Sequence, residues 1–350
     1  MPAGGPHEAL PVLDLRSLDA GASERARLLR DLRTAARNTG FFYIVGHGFD
    51  DALIDRVLRL ARRFFALPAQ QKLVIEMVNS PHFRGYNRPG LEHTRGKPDW
   101  REQLDVGPER EALPFERAAP PWTRLQGPNQ WPAALPELKP ALLFYQEQIS
   151  ALAIRVLRAF AAALDQTDDV FEPIHSPAPH QLLKLIRYPG RDDADGDQGV
   201  GAHKDSGFVT ILLQDRESGL QVEGGHGWID APPVPGSFVV NIGEILEMAS
   251  AGYLRANVHR VVSPPPGIDR YSVAFFLGAR LDATVPLLTL PAYLAAGARG
   301  VTRDPLNPLF RDVGRNYLKG RLRSHPDVAR RHHPDLIDPA QSPMEPASAY

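Results

Sequence analysis

After Gln181 the period of the chain changes. Upstream, apolar residues recur mostly at helical spacing. Downstream, short β-rich segments follow one another with turn residues between them, at 182–188, 208–213, 220–223, 228–230, 238–242, 258–262 and 271–277. A series of short strands at regular intervals specifies a sandwich or barrel, because such strands bury a face only by stacking or closing on one another. One short helix, 244–250, interrupts the series. The fold class that follows is mainly β with flanking helices: a jelly-roll core carried by a helical N-terminal part.

That N-terminal part opens with a short strand at 10–15. A helix over 23–38 follows, with Leu28, Leu29, Leu32, Ala35 and Ala36 on one side, Ser23 as N-cap and Gly40 as the stop. The run Phe41-Phe42-Tyr43-Ile44-Val45 is an apolar strand ended by Gly46-His47-Gly48, and 51–67 is a second helix, after which Pro68 starts a shorter one. The polar, Gly- and Pro-rich stretch 80–99 reads as irregular, 101–106 as a strand and 109–136 as loop. The longest helical pattern is 136–164, and its Ala-rich, aliphatic second half reads as a buried spine. A helix is expected at 312–323, and the Pro- and Ser-rich end as a mobile tail. No repeat is visible, so the division is 1–135 (helix and strand region), 136–180 (spine helix and connector), 181–285 (jelly-roll core) and 286–350 (C-terminal helix and tail).

Composition narrows the function. Hydrophobic residues make up 43% of the 350, enough for a sizeable core, and the net charge of −1 gives no general attraction to nucleic acid or an acidic membrane. The absence of cysteine excludes disulfides, thiol nucleophiles, zinc fingers and iron–sulfur ligation by this chain. The start lacks the basic and apolar segments of a secretory signal, and no apolar run approaches the roughly 20 residues that span a bilayer. The expectation is a cytoplasmic protein with no obligate protein partner.

The chemistry concentrates in His203-Lys204-Asp205, His259 and Arg270-Tyr271-Ser272. Read as a strand, His203 and Asp205 face one way with Lys204 opposite, and His259 returns from across the barrel. Two imidazoles and one carboxylate are the ligand set of a non-haem Fe(II) site with open positions for O2 and a bidentate 2-oxo acid. Along 270–276, Arg270, Ser272, Ala274 and Phe276 share a face. A guanidinium at the back of an apolar pocket pairs with a distal carboxylate, and Ser272 adds one hydrogen bond. Tyr188, ending its strand before Pro189, is in reach of the same carboxylate or packs on the core.

These motifs, with Pro11-Val12-Leu13-Asp14-Leu15, the 40–48 segment, Phe64-Phe65-Ala66-Leu67-Pro68, Arg84-Gly85-Tyr86, Arg187-Tyr188-Pro189 and Asn241-Ile242-Gly243-Glu244, make the chain resemble the isopenicillin N synthase-like group of Fe(II)/2-oxoglutarate-dependent oxygenases over most of its length. The resemblance implies a double-stranded β-helix, iron on His203, Asp205 and His259, and 2-oxoglutarate on Arg270 and Ser272, with Tyr188 beside them. It implies hydroxylation, desaturation or ring closure of a small-molecule substrate, with decarboxylation of 2-oxoglutarate to succinate and ascorbate as an accessory reductant. His47 then reads as structural, and His175, His180, His226, His325, His332 and His333 as surface or loop residues. Substrate contacts are expected from Phe83, Arg84 and Tyr86, from Phe208 and from Phe276. The C-terminal helix is expected over the barrel mouth.

One departure keeps a second reading open. Many plant members carry Asn two residues before the Tyr-Pro tyrosine; here that position is Ile186, closer to the penicillin-forming branch. In that branch no oxo acid is used, and the Arg-x-Ser pair holds the substrate's own carboxylate. A zinc hydrolase would also accept two histidines and a carboxylate, but no His-Glu-x-x-His base is present and the clamp would be unexplained. A catalytically silent binding protein is the third alternative.

Overall fold

Alternate residues of the C-terminal strands are apolar on both faces because each face meets a different partner. The computed structural model describes residues 9–337 except 115, 117, 193–195, 303, 305 and 306; the tail expected beyond 337 lies outside the described residues. The N-terminal part contributes β1 (Val12–Asp14), β2 (Phe41–Val45), β3 (Gly85–Asn87), β4 (His93–Thr94), β5 (Lys97–Pro98) and β6 (Glu102–Val106). The C-terminal part contributes β7 (Gln181–Pro189), β8 (Gln198–His203), β9 (Val209–Gln214), β10 (Leu220–Gly224), β11 (Gly227–Asp230), β12 (Phe238–Ile242), β13 (His259–Val262) and β14 (Asp269–Leu277). The helices are α1 (Ala22–Asn38), α2 (Asp51–Phe65), α3 (Ala69–Leu73), α4 (Leu138–Ala163), α5 (Glu172–His175), α6 (Glu244–Ala249), α7 (Ala292–Ala295), α8 (Val313–Ser324) and α9 (Pro326–His332).

An eight-stranded sheet runs β1-β2-β12-β9-β14-β7-β6-β3, and a four-stranded sheet runs β11-β10-β13-β8. Between them lies a small apolar layer that includes Ile186, Tyr188, Val200, Val222, Val261 and Ala274. The opposite face of the large sheet, with Leu183, Leu185, Val273, Phe275 and Leu277, joins the main core built on α1, α2 and α4. This is the jelly roll, with α4 as the buried spine behind it. The N-terminal part is thus no separate body: β2, β3 and β6 extend the catalytic sheet on both sides.

Several boundaries differ from the sequence reading. Gly21, not Ser23, caps α1, and Asp50 caps α2 through a hydrogen bond from Ala52 N. Gly40 does stop α1: its φ is +69°, its N–H returns to Ala35 O at 3.0 Å, and a Cβ there would stand 2.1 Å from Arg255 O. The stretch read as irregular, 80–99, holds β3 and the hairpin β4–β5, which turns through Arg95 and Gly96 at positive φ. The strand read at 203–205 belongs to β8 and ends at His203, and helix α9 carries no sequence signal strong enough to be read. Four histidines read as surface or loop residues are buried, His180, His325 and His333 in loops and His175 at the end of α5. Their imidazoles pack into seams, His180 edge-on to Tyr317 at 4.7 Å and His333 stacked on Phe83 at 5.3 Å. His226 is exposed, and His47 is structural as expected, bonding Gly236 O and Phe49 N.

Candidate active site

Strand β8 delivers His203 at its last residue, directly opposite His259, the first residue of β13. Asp205 is not on a strand, so the alternation argument that placed it beside His203 does not hold. Its carboxylate is set instead by two hydrogen bonds, from Thr210 Oγ1 at 2.6 Å and Asn241 Nδ2 at 2.7 Å, both to Oδ2. Both donors lie on neighbouring strands of the large sheet, β9 and β12, where they are cross-strand partners. Oδ1 is left facing the imidazoles, 3.5 Å from His203 Nε2 and 3.7 Å from His259 Nε2. Close packing behind the loop fixes it further: a Cβ on Gly243 would lie 2.0 Å from Gly207 O.

The three ligating atoms fall within 4.8 Å of one another, a group that could hold a metal ion. Each imidazole is oriented from behind, His203 Nδ1 on Gly201 O at 2.8 Å and His259 Nδ1 on Asn257 O at 3.3 Å. With Nδ1–H donating to a carbonyl, Nε2 keeps its lone pair for a metal. Burial, then the like charge of His203, pushes His259 down to about 4, so it stays neutral at physiological pH. Burial works against protonated His203 as well, but the hydrogen bond and charge of Asp205 outweigh it and leave His203 raised. Burial would raise Asp205, yet the two histidines and Asn241 hold it well below the usual carboxylate range.

Deeper between the sheets lies the predicted clamp. Arg270, Ser272 and Ala274 point inward from β14, as the alternation required, with Val273 and Phe275 on the helical side. Arg270 is fully buried and donates from Nη2 to Gln214 Oε1 at 2.8 Å, while its Nε and Nη1 and the Ser272 hydroxyl have no hydrogen-bond partner among the described residues. Unpaired buried donors of this kind are costly and rare. An anionic carboxylate is the group that satisfies a guanidinium edge and a hydroxyl together. The donor set therefore fits the distal end of 2-oxoglutarate. Tyr188 is the cross-strand partner of Arg270, its ring 5.0 Å from the guanidinium.

Above the metal-ligand group a cavity of about 810 Å³ opens to solvent. Phe276, Leu182 and Val200 form part of its wall, and Tyr317 and Arg321 on α8 cover one side, so the C-terminal helix stands where it was expected. The remaining substrate candidates do not reach it. Arg84 is buried and spends its guanidinium on His82 O at 2.9 Å and Leu125 O at 3.1 Å; burial, then the like charge of Arg321, lowers it to about 9. Tyr86 donates to Glu102 at 2.6 Å on the far face of the sheet. Phe208 packs edge-on to Phe171 at 5.5 Å in the main core, which also takes Phe83. In each case an aromatic or cation near the motif is spent on packing or on joining neighbouring segments.

What the motifs did not reveal is a charged wall. Glu92 takes Lys184 at 2.9 Å and Arg101 at 2.6 Å, and Asp105 takes Arg321 at 2.8 Å and Lys184 at 3.6 Å. Lys184, Arg101, Glu92 and Arg321 all line the cavity. The alternation of β7 would have found Lys184, which shares the inward face of Ile186 and Tyr188. Glu92 and Arg321 come from a loop and a remote helix, and nothing local marks them.

Residues 10–134 match the family model described as non-haem dioxygenase in morphine synthesis N-terminal, and residues 179–279 match the 2OG-Fe(II) oxygenase superfamily. The chain is 35% identical to the 2-oxoglutarate-dependent dioxygenase frbJ of Dothideomycetidae sp. (strain 11243), covering 94% of each. It is also 35% identical to a homoarginine-6-hydroxylase of Arabidopsis thaliana, over 84% of this chain and 91% of that one. A solved 2OG-Fe(II) oxygenase family protein of Caulobacter crescentus superposes with a TM-score of 0.71 at 31% identity, over 90% of this chain and 98% of that one. Neurospora crassa T7H, solved with alpha-KG and thymine, superposes at 0.71 with 25% identity, over 92% and 96%. With a jelly roll, a two-histidine, one-carboxylate group and a buried carboxylate clamp in place, the chain belongs to the isopenicillin N synthase-like family of Fe(II)/2-oxoglutarate-dependent oxygenases.

Proposed function

We propose that His203, Asp205 and His259 hold Fe(II), that Arg270 and Ser272 hold the distal carboxylate of 2-oxoglutarate with Tyr188 supporting Arg270, and that the enzyme hydroxylates a small polar molecule. The observation that carries this is the pairing of an oriented His-Asp-His group with unpartnered donors on Arg270 and Ser272. Bound there, iron and 2-oxoglutarate supply oxidative decarboxylation to succinate coupled to oxidation of a substrate C–H bond. The chain does the positioning. Thr210 and Asn241 keep Asp205 Oδ1 turned toward the imidazoles. Phe276, Leu182 and Val200 keep the cavity beside the metal group partly apolar, while Glu92, Lys184, Arg101 and Arg321 give it a charged side. That side favours a polar substrate over a hydrocarbon. Homoarginine, named in one relative's activity, and thymine, bound in a solved neighbour, are also small and polar.

In this reading 181–285 is the catalytic core, 136–180 the spine and connector, 1–135 the supporting part and 286–350 the covering segment. Among the described residues no helix is long and apolar enough to cross a membrane. The cytoplasm is the compartment proposed for the enzyme. The oxo-acid-independent oxidase is the competing reading, and the relatives named as 2-oxoglutarate-dependent weigh against it. Anaerobic titration of the Fe(II)-loaded protein with 2-oxoglutarate tests the proposal. A saturable visible charge-transfer band, lost in Arg270→Ala, is expected; iron binding without a band would reassign the clamp to a substrate carboxylate.

A further inference from the structure

Gln103 is fully buried, yet among the described residues neither its amide oxygen nor its amide nitrogen has a hydrogen-bond partner. Native interiors hold few such groups, and an amide unpaired at both ends points to something that pairs it. The side chain faces the interior between the sheets. On β6, Leu104 and Val106 belong to the helix-packed core, so Gln103 and Asp105 face the other way, toward the side where Lys184, Ile186 and Tyr188 stand on β7.

The strand register gives its depth. Gln103 is opposite Ile186, Ile186 is opposite Ser272, and Ser272 is opposite Gln214. At this one level Gln214 is occupied by Arg270, Ile186 is apolar, and the Ser272 hydroxyl and the Gln103 amide are unpaired. Neighbouring strands lie about 4.8 Å apart, so the Gln103 and Ser272 backbones are separated by roughly 10 Å across Ile186. A ligand on Ser272 that extends over Ile186 comes within reach of the glutamine side chain.

We propose that Gln103 is a positioning residue for the co-substrate, its Nε2 donating a hydrogen bond to an oxygen of bound 2-oxoglutarate from the side opposite Ser272. Ionised 2-oxoglutarate has only acceptors, so the nitrogen is the end that turns to it. Arg101, just ahead of β6, lines the cavity, and its Nε, also buried without a hydrogen-bond partner among the described residues, is the complementary donor for Gln103 Oε1. This inference rests on the iron and co-substrate assignment of the proposed function.

The test is anaerobic 2-oxoglutarate titration of the Fe(II)-loaded full chain, read as the Kd from the charge-transfer band, with Fe(II) affinity measured separately without 2-oxoglutarate. Gln103→Leu should weaken 2-oxoglutarate by about 10-fold, the loss of one hydrogen bond to a charged group. Gln103→Glu should weaken it by about 100-fold, since it sets a carboxylate against a dicarboxylate, and Gln103→Asn should recover part of the loss. Fe(II) affinity should not move. A wild-type band with Gln103→Leu within twofold of wild type overturns the Gln103 assignment alone. A parallel loss of Fe(II) affinity overturns it in favour of a structural role, and iron-loaded wild type without a band overturns both readings. If Gln103→Leu does not fold, the Glu and Asn variants carry the same comparison.

Discussion

Thr210 is the residue through which the proposed metal site can be weakened without touching a ligand. Its hydroxyl donates to Asp205 Oδ2 at 2.6 Å, and Asn241 supplies the second hydrogen bond at 2.7 Å. Thr210→Val is nearly isosteric and deletes one of them. A hydrogen bond to a charged group contributes about 1.5–3 kcal/mol. Part of that is lost from the metal-free protein as well, because Asp205 is buried and charged there too. The share that appears in metal affinity is the orientation of Oδ1, and removing a group that orients a ligand typically costs 10–100-fold. The Fe(II) Kd should therefore rise by about 10-fold in Thr210→Val, and by more in Asn241→Leu, which leaves a larger polar gap. The double variant should fall short of the product of the two, since both bonds act on one oxygen. Anaerobic competition against a chromophoric chelator reads the affinity, and urea unfolding of the metal-free protein reads the stability share. Thr210→Val binding Fe(II) within twofold of wild type would refute the claim that Oδ2 bonding sets the ligand.

Further outcomes follow from the same geometry. His325 is fully buried, and burial lowers it to about 4 from an ordinary 6.5. The unfolded chain then binds the proton first, so stability is full above about pH 6.5 and falls as pH drops toward 4. His325→Gln should remove about 3 kcal/mol of the difference between pH 7.5 and pH 4 in denaturant unfolding, and an unchanged slope would contradict this. Arg84→Met should cost about 2–4 kcal/mol, because His82 O and Leu125 O lose their donor. It should leave the 2-oxoglutarate band in place, whereas loss of the band at intact stability would return Arg84 to the site. Anaerobic Fe(II) at about 100 times its Kd should stabilise the wild type by about 2.7 kcal/mol in urea unfolding, and His203→Ala should show no such gain.

Sequence alone determined what depends on neighbours along the chain. Period 2 in 270–276 placed Arg270, Ser272, Ala274 and Phe276 on one face, and the structure keeps that alternation because a strand's side chains cannot do otherwise. The same local logic gave the spine helix, the C-terminal helix and most strands of the jelly roll. It failed for Asp205, because the strand that would set it beside His203 ends at His203 itself, two residues short; donors on β9 and β12 place that carboxylate instead. It failed again for Arg84, Tyr86 and Phe208, because whether a side chain near a motif faces a cavity or closes a seam is decided by what packs over it. The charged wall is the clearest case. Glu92, Asp105, Lys184 and Arg321 come from a loop, β6, β7 and α8 and meet only when β7 sets Lys184 between Glu92 and Asp105 and α8 brings Arg321 to Asp105, so their pairing is a property of tertiary packing with no local pattern to announce it.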